Sequence, residues 1–496
     1  MCVNEQTPVQ RTHSLRGGHD GTVAVLKIRP SRKKPMQTIP IFGTDGVRGR
    51  VGQAPMTPQA VMQLAHASGA LLVERQTDAS QKPAVVIGSD TRVSSDMLEA
   101  ALQAGFAAAG VDTVMCGVLP TPAIAYLTRL RGFQAGVVVS ASHNPYDDNG
   151  IKFFSSEGDK LSDATEQAIE QRMQEPLACV PSRQLGHSWR LPSAPGLYID
   201  FCKRSLDSDV NLRGMRIVID VAHGACHEVA PAVLEQLGVD VVVIGGTPNG
   251  VNINDEVGAT RPEHLSRMVR LHHADLGIAL DGDGDRLVMA DASGRVFDGD
   301  ELLYLLAQDA KQRREVCAGV AGTLMSNLGL EQALNRQGVA FARSAVGDRH
   351  VLQLLRERGW RLGGENSGHI LCLERHTTGD GVIAALQVLA AMRRSRKDLA
   401  QLCDGLQLHA QCLINVPIAK GADWESSDVI RRCRERTERA LGMYGRVLLR
   451  ASGTESVLRV MVECPEAGQA TALARALADE VHQAMSPCTE RELLAA

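Results

Sequence analysis

Five apolar runs rich in β-branched residues each stop abruptly at a polar or glycine-bearing loop. They are Val85-Val-Ile-Gly-Ser-Asp90, residues 137–142, Ile217-Val-Ile-Asp-Val-Ala-His-Gly224, Val241-Val-Val-Ile-Gly-Gly-Thr-Pro-Asn-Gly250 and Leu276-Gly-Ile-Ala-Leu-Asp281. Runs of this kind are buried on both faces, as in a sheet covered by helices. Segments with helical periodicity lie between them, so the chain is predicted to form α/β domains. In open sheets, ligand loops sit beyond the carboxyl ends of strands. Chemistry is therefore sought in those loops.

The helices have recognisable starts. Thr57-Pro58 reads as an N-cap followed by Pro at the first helical position, with Val61, Leu64, Ala65, Leu71 and Leu72 on one buried face. Ser95-Asp96 opens a second helix and Gly379-Asp380 a third, which runs toward the basic stretch Arg393-Arg-Ser-Arg-Lys397. At 496 residues the chain exceeds one ordinary core, so several domains are expected. Divisions are placed after 198, where a Pro-rich connection ends, after 300 and after 411, giving domains 38–198, 199–300, 301–411 and 412–496. The last has a helix-rich part around 426–441 and then a hairpin-like stretch. Residues 1–37 read as an irregular, partly basic leader, without the apolar core of a secretory signal.

Composition excludes some functions. Net charge is -4, which argues against a nucleic-acid scaffold. No apolar run approaches the roughly 20 residues of a membrane span. The twelve cysteines include no C-x-x-C pair and read as reduced thiols of a cytoplasmic protein.

The second apolar run delivers Ser140 and Ser142 into a loop closed by Pro145. In an extended segment their side chains share a side, and either hydroxyl can be a nucleophile that needs a base or a metal. His143 and Lys152 are the nearby groups for proton handling. The fifth run ends in Asp281-Gly-Asp-Gly-Asp-Arg286. An extended chain would project Asp281, Asp283 and Asp285 to one side, where three like charges call for a proton or a cation. Hard oxygen ligands in this number suit Mg²⁺, which leaves room for a phosphate oxygen. The loop is not an EF-hand, because Arg286 stands at its sixth position and Ala292 at its twelfth.

Three further loops carry ligand-type residues. Glu365 and Ser367, flanked by glycines, offer an acceptor and a donor on one side of an extended strand, suited to sugar hydroxyls. Arg450-Ala-Ser-Gly-Thr-Glu455 combines a guanidinium fork with Ser452, Gly453 and Thr454, an anion nest. Phe42-Gly-Thr-Asp-Gly-Val-Arg-Gly49 repeats that logic with Thr44 and Arg48 as phosphate contacts.

These loops, in this order, resemble the α-D-phosphohexomutase superfamily from about residue 38 to 490. Phe42–Gly49, Ser140–Phe154, residues 322–331, Ala345-Val-Gly-Asp-Arg349 and His376-Thr-Thr-Gly-Asp-Gly381 are most similar to its bacterial amino-sugar branch. The resemblance implies an α/β protein of four domains around a central cleft: three similar α/β domains with mixed sheets and a smaller α+β C-terminal domain. It implies an isomerase that interconverts glucosamine 6-phosphate and glucosamine 1-phosphate, through a phosphoserine at Ser142 and glucosamine or glucose 1,6-bisphosphate. One Mg²⁺ would be held by Ser142, Asp281, Asp283 and Asp285, with Arg286, Lys152 and His143 beside the reacting phosphate. Glu365 and Ser367 would grip the sugar, and Arg450, Ser452, Gly453 and Thr454 the other phosphate. The implied partner is a small sugar phosphate, not nucleic acid or membrane, and a homodimer is compatible with it. The same machinery acting on mannose or glucose phosphates, and a non-catalytic sugar-phosphate binder on this fold, are the alternatives.

The chain departs from the family pattern at Ser456, Val257 and Ser95, where Pro, Cys and Gly are common. None of these removes a ligand. Ser456 leaves its loop less restricted than Pro would.

Overall fold

The computed structural model describes residues 41–43, 45–76, 81–313, 318–419, 421–452 and 456–485. The expected leader and Thr44, Gly453 and Thr454 lie outside these residues.

The first sheet holds β1 (Val47–Arg50), β2 (Ala84–Ser89), β3 (Asp112–Val118), β4 (Ala135–Val139), β5 (Asp148–Ser155) and β6 (Ser188–Arg190), in the order β1-β5-β4-β2-β3-β6. The second holds β7 (Arg216–Asp220), β8 (Asp240–Ile244), β9 (Leu276–Leu280), β10 (Leu287–Asp291) and β11 (Val296–Phe297), ordered β11-β10-β9-β7-β8. The third holds β12 (Gly319–Thr323), β13 (Ala340–Ser344), β14 (Leu362–Gly364) and β15 (Ile370–Cys372), ordered β13-β12-β14-β15. All three are mixed sheets, as expected.

They also share one plan. In β3-β2-β4-β5, β8-β7-β9-β10 and β13-β12-β14-β15, three parallel strands are followed by one antiparallel return. The reversal into the return strand needs only a short loop, whereas each parallel crossover needs a helix. That loop lies at the carboxyl edge of a buried strand: β4 and β9 have every residue buried. The three equivalent reversals are residues 140–147, 281–286 and 365–369, the serine, acidic and Glu365 loops.

The fourth sheet is antiparallel: β16 (Ala410–Pro417), β17 (Arg446–Ala451) and β18 (Val457–Cys464), ordered β16-β18-β17. The predicted helix near 426–441 is Asp428–Leu441, and Ala467–Met485 packs beside it. Val460, Val462, Ile430 and Leu477 belong to a core separate from the one that joins the other sheets. That larger core runs from Leu119 and Ile124 through Ile219 and Leu280 to Val320 and Leu389, so helices of the first three domains share one interior. The domain divisions expected after 198, 300 and 411 fall inside the helix Ala194–Ser205, the helix Gly299–Gln312 and β16.

No helix among the described residues is long and apolar enough to cross a membrane. The nine described cysteines are all free.

Candidate functional site

The serine loop is shaped by a buried side-chain network that the sequence reading did not find. Arg92 is buried, and its Nε donates to Asp90 Oδ2 at 2.9 Å. Its Nη2 donates to the carbonyls of Ser142 and Asn144, each at 2.9 Å, while its Nη1 reaches Pro145 O and Asp148 O. The guanidinium thus ties the serine loop to Asp90 through all three of its nitrogens, a use of its fixed fork that lysine cannot copy. Asp90 closed a run noted only for its strand ending, and Arg92 stands two residues beyond it. Their signal was a buried Asp-x-Arg at a strand terminus, which burial alone makes readable.

The two serines part company here. Ser140 Oγ donates to Asp90 Oδ2 at 2.6 Å and accepts from the Ser142 amide at 2.9 Å. Ser142 takes a left-handed backbone, φ 53°, which swings its side chain out of the strand's alternation. Its Oγ donates to Asp281 Oδ2 at 2.6 Å and lies 3.4 Å from His143 Nδ1. An extended segment would have put both hydroxyls on one side; the left-handed turn separates a structural serine from a presented one.

The acidic loop needs a similar correction. Asp281 follows β9, and the chain turns at once, with Gly284 N–H donating to Asp281 O at 3.1 Å and Gly284 at φ 75°. The three carboxylates converge because the loop curls, not because it is extended. Oxygen atoms of Asp281, Asp283 and Asp285 all lie within 4.8 Å of one another, and the three residues are buried. Asp283 Oδ1 and Asp285 Oδ1 are buried without a hydrogen-bond partner. Burial, then the charges of Asp285 and Asp283, push the Asp281 carboxyl up to about 8. Clustered hard oxygens, two of them orphaned, fit a divalent cation such as Mg²⁺.

Cationic side chains close the other side. Lys152, on β5, donates to Asp283 Oδ2 at 2.7 Å and Asp285 Oδ2 at 3.3 Å, and pairs with Asp45 Oδ2 at 2.9 Å. Burial opposes its charge, yet Asp283, Asp45 and Asp285 outweigh it and hold the ammonium well above the usual lysine range. Thr121, at the start of the helix Thr121–Arg131, donates its hydroxyl to Asp283 Oδ2 at 2.5 Å. Arg286 N donates to Asp281 Oδ1 at 3.1 Å, and its Nε lies 4.0 Å from Asp281 Oδ2. Arg48 pairs with Asp45 beside this cluster. His143 is driven down to about 4, first by burial and then by the charges of Arg286 and Arg48.

The third reversal joins the same place. An antiparallel bridge links Arg286 to His369, and Leu287 N donates to Gly368 O at 2.9 Å. Residues 365–368 form a turn closed by Gly368 N to Glu365 O at 3.0 Å, rather than the extended strand expected for Glu365 and Ser367. His369, which the sequence reading passed over, lies between Asp285 (3.6 Å) and Asp348 (3.5 Å). Against the cost of burial, those two acids push it up to about 9. Glu365 Oε1 accepts from Gly347 N at 3.0 Å.

On the fourth sheet, Arg450 is half-buried and its Nε has no hydrogen-bond partner. It sits directly opposite Arg459 in the β17–β18 register. Burial and then the Arg459 charge lower the Arg450 guanidinium, while Glu365 acts in the other direction. Two arginines opposed across a hairpin repel unless an anion lies between them. Arg459 was missed because its pairing depends on the turn length between the strands. Ser452 N donates to Val457 O at 2.9 Å at the mouth of that turn.

Known proteins resemble the chain along most of its length. Residues 40–178, 197–294 and 298–408 match the family models for the phosphoglucomutase/phosphomannomutase alpha/beta/alpha domains I, II and III, and residues 413–480 match the C-terminal domain of the same family. A phosphoglucosamine mutase of Azoarcus sp. (strain BH72) is 56% identical over 90% of this chain and 99% of its own length. The crystal structure of a phosphoglucomutase/phosphomannomutase family protein from Burkholderia thailandensis superposes with a TM-score of 0.74 at 23% identity, over 90% of this chain and 98% of that one. The N-acetylphosphoglucosamine mutase of Aspergillus fumigatus, solved with GlcNAc-6P and magnesium, gives 0.63 at 18% identity, over 90% of this chain and 96% of that one. With all four domain types matched in order and a relative of this identity along nearly its whole length, the chain belongs to the phosphoglucomutase/phosphomannomutase family.

Proposed function

We propose that the chain is a phosphoglucosamine mutase, an isomerase that interconverts glucosamine 6-phosphate and glucosamine 1-phosphate in the cytoplasm. The observation that carries the chemistry is the 2.6 Å contact between Ser142 Oγ of the first domain and Asp281 of the second, inside a trio of buried carboxylates. The choice of amino sugar rests on the relative at 56% identity, which is named for that reaction.

Ser142 carries the phosphoryl group as a phosphoester. The free hydroxyl of the bound sugar phosphate attacks phosphorus, the bond to Ser142 Oγ breaks, and the hydroxyl proton ends on that oxygen. The sugar 1,6-bisphosphate then turns over in the cleft. Ser142 Oγ attacks its other phosphate, and the released sugar oxygen takes the proton back. Asp281, Asp283 and Asp285, with the Ser142 phosphate, would hold a Mg²⁺, which would supply charge compensation for the transferring group. Lys152 and Arg286 add fixed positive charge at its flanks, and His143 Nδ1 is the ring nitrogen nearest Ser142 Oγ, at 3.4 Å. Glu365 and Ser367 hold sugar hydroxyls. Arg450, Ser452, Gly453 and Thr454, together with Arg459, hold the phosphate that is not reacting. Arg48 and Thr44 line the phosphate side of the first domain. The separate core of the C-terminal domain suits a unit that shifts to accept both orientations of the intermediate.

The reading is tested by comparing specificity constants. Glucosamine 6-phosphate is expected to exceed glucose and mannose 6-phosphates in kcat/KM by at least about tenfold, the discrimination available from one well-placed polar contact. Equal constants would redirect the reading to a phosphoglucomutase or phosphomannomutase. Exhaustive chelation is expected to inactivate the enzyme, with Mg²⁺ restoring activity and calorimetry showing one site per chain. Full activity in a chelator refutes the cation role of the three aspartates.

A further inference from the structure

The Ser142 hydroxyl belongs to the first domain and its acidic partners to the second, so some contact must hold the two loops in register. Two side chains bracket the loop backbone. Arg92 Nη2 donates to Ser142 O and Asn144 O, and Asn254 Nδ2 donates to the same two carbonyls at 2.9 and 3.2 Å. Arg92 stands in the first domain, beside the loop it shapes. Asn254 stands in the second, with the acidic loop. We propose that Asn254 is a positioning residue that registers Ser142 against Asp281 across the domain boundary; the inference rests on the phosphotransfer reading above.

Asn254 is itself firmly held. Its backbone is left-handed, φ 60°, and its amide donates to Ala222 O at 2.8 Å, just beyond β7. Asparagine is among the few residues that adopt this backbone readily. Its side-chain oxygen is buried without a hydrogen-bond partner, so the amide group serves here through its donors. The clamped carbonyl also touches the acidic loop: a Cβ on Gly282 would stand 2.6 Å from Ser142 O and 2.8 Å from Asn254 Nδ2. Serine carbonyl, asparagine amide and acidic-loop backbone therefore form one close-packed contact. The left-handed Ser142 conformation persists only where its surroundings over-determine it, and this contact, beside that of Ser142 Oγ with Asp281, is what the second domain provides.

The domain boundary does not depend on Asn254 alone. Thr91 Oγ1 donates to His223 O at 2.5 Å and Val93 N to Gly250 O at 2.8 Å. Losing the Asn254 donors thus leaves the two carbonyls to Arg92 alone and removes this hold of the second domain on the serine peptide, without parting the domains.

The test uses the full chain with Mg²⁺ and two variants. Asn254→Asp keeps size and tolerance of the left-handed backbone but removes the donors. Asn254→Gly keeps the backbone and adds no charge. Loading of Ser142 by glucose 1,6-bisphosphate is followed by intact mass, and steady-state turnover of glucosamine 6-phosphate is measured beside it. Both variants are expected to load and turn over on the order of 10–100-fold more slowly, with KM within about twofold, as for a misplaced nucleophile. Wild-type rates in either folded variant, or a raised KM with unchanged kcat, overturn the role of Asn254. If Asn254→Asp fails to fold, Asn254→Gly decides; loss of the fold in both, by circular dichroism, assigns Asn254 a structural role and overturns the proposal. A wild-type enzyme that neither loads nor turns over sinks the mutase reading itself, which separates the two failures.

Discussion

Ser142→Ala is expected to abolish turnover, lowering kcat by at least about 10⁴-fold while the fold survives, because no other hydroxyl is placed to take over. Ser140 is the obvious substitute by sequence, yet its Oγ is buried and committed to Asp90 and to the Ser142 amide. Thr121, the other hydroxyl at the trio, is engaged with Asp283. The substitution deletes one oxygen and leaves the backbone contacts of the loop to Arg92 and Asn254 in place. Circular dichroism and thermal unfolding should therefore match wild type, and incubation with a sugar bisphosphate should add no phosphate mass. Retained activity would move the carrier away from this loop. Ser140→Ala is the instructive contrast, since it should slow the enzyme by loosening the loop yet leave phosphate loading detectable.

Arg446→Met should cost the attachment of the C-terminal domain about 3–5 kcal/mol, the range for breaking a buried pair on one side only. Arg446 Nε meets Glu463 Oε2 at 2.5 Å, and Glu463 is fully buried. The same guanidinium donates to Leu324 O at 2.9 Å and Ser326 O at 2.6 Å, while Glu463 Oε1 accepts from Leu328 N at 2.6 Å. An ion pair of the fourth domain thus grips the loop that follows β12 in the third. Methionine would leave the buried carboxylate without its ion-pair partner. Adding Glu463→Gln removes that charge while keeping an acceptor for Leu328, so the double variant should recover a large part of the loss. Hydrogen exchange across β16–β18 reads the local opening free energy. A change below about 1 kcal/mol would mean that the pair is not what fastens this domain. Arg450 lies four residues along the same strand, so KM should rise with the loosening.

Much of the fold was legible because the signals are local. The strand runs became β2, β4, β7, β8 and β9, and the helix starts at Thr57, Ser95 and Asp380 hold to within a residue, since caps and apolar periodicity act over one or two turns. The loops were harder. Each was imagined as an extended segment, and each proved to be a turn that a glycine or a left-handed residue allows, as at Ser142, Gly284 and Gly368. Alternation of side chains fails where the strand ends, which is where the ligand groups stand.

The family resemblance implied three similar domains with mixed sheets, but their strand order and equivalent reversals were beyond reach, because strand order is set by pairing between distant segments. The groups that contact the Ser142 loop, Arg92, Asp90 and Asn254, look in the sequence like ordinary loop residues; the fold turned them into fixed donors and acceptors. Arg459 became visible only once the hairpin register was known.

By itself the sequence determined which chemical groups each loop carries, because three carboxylates within 281–285 and two hydroxyls within 140–142 are fixed by the order of residues. Tertiary structure alone decided which loops meet and which atom faces which. Those contacts join residues as far apart as Ser142 and Asp281, and are specified by the packing of a shared interior and by the side chains that bridge its domains.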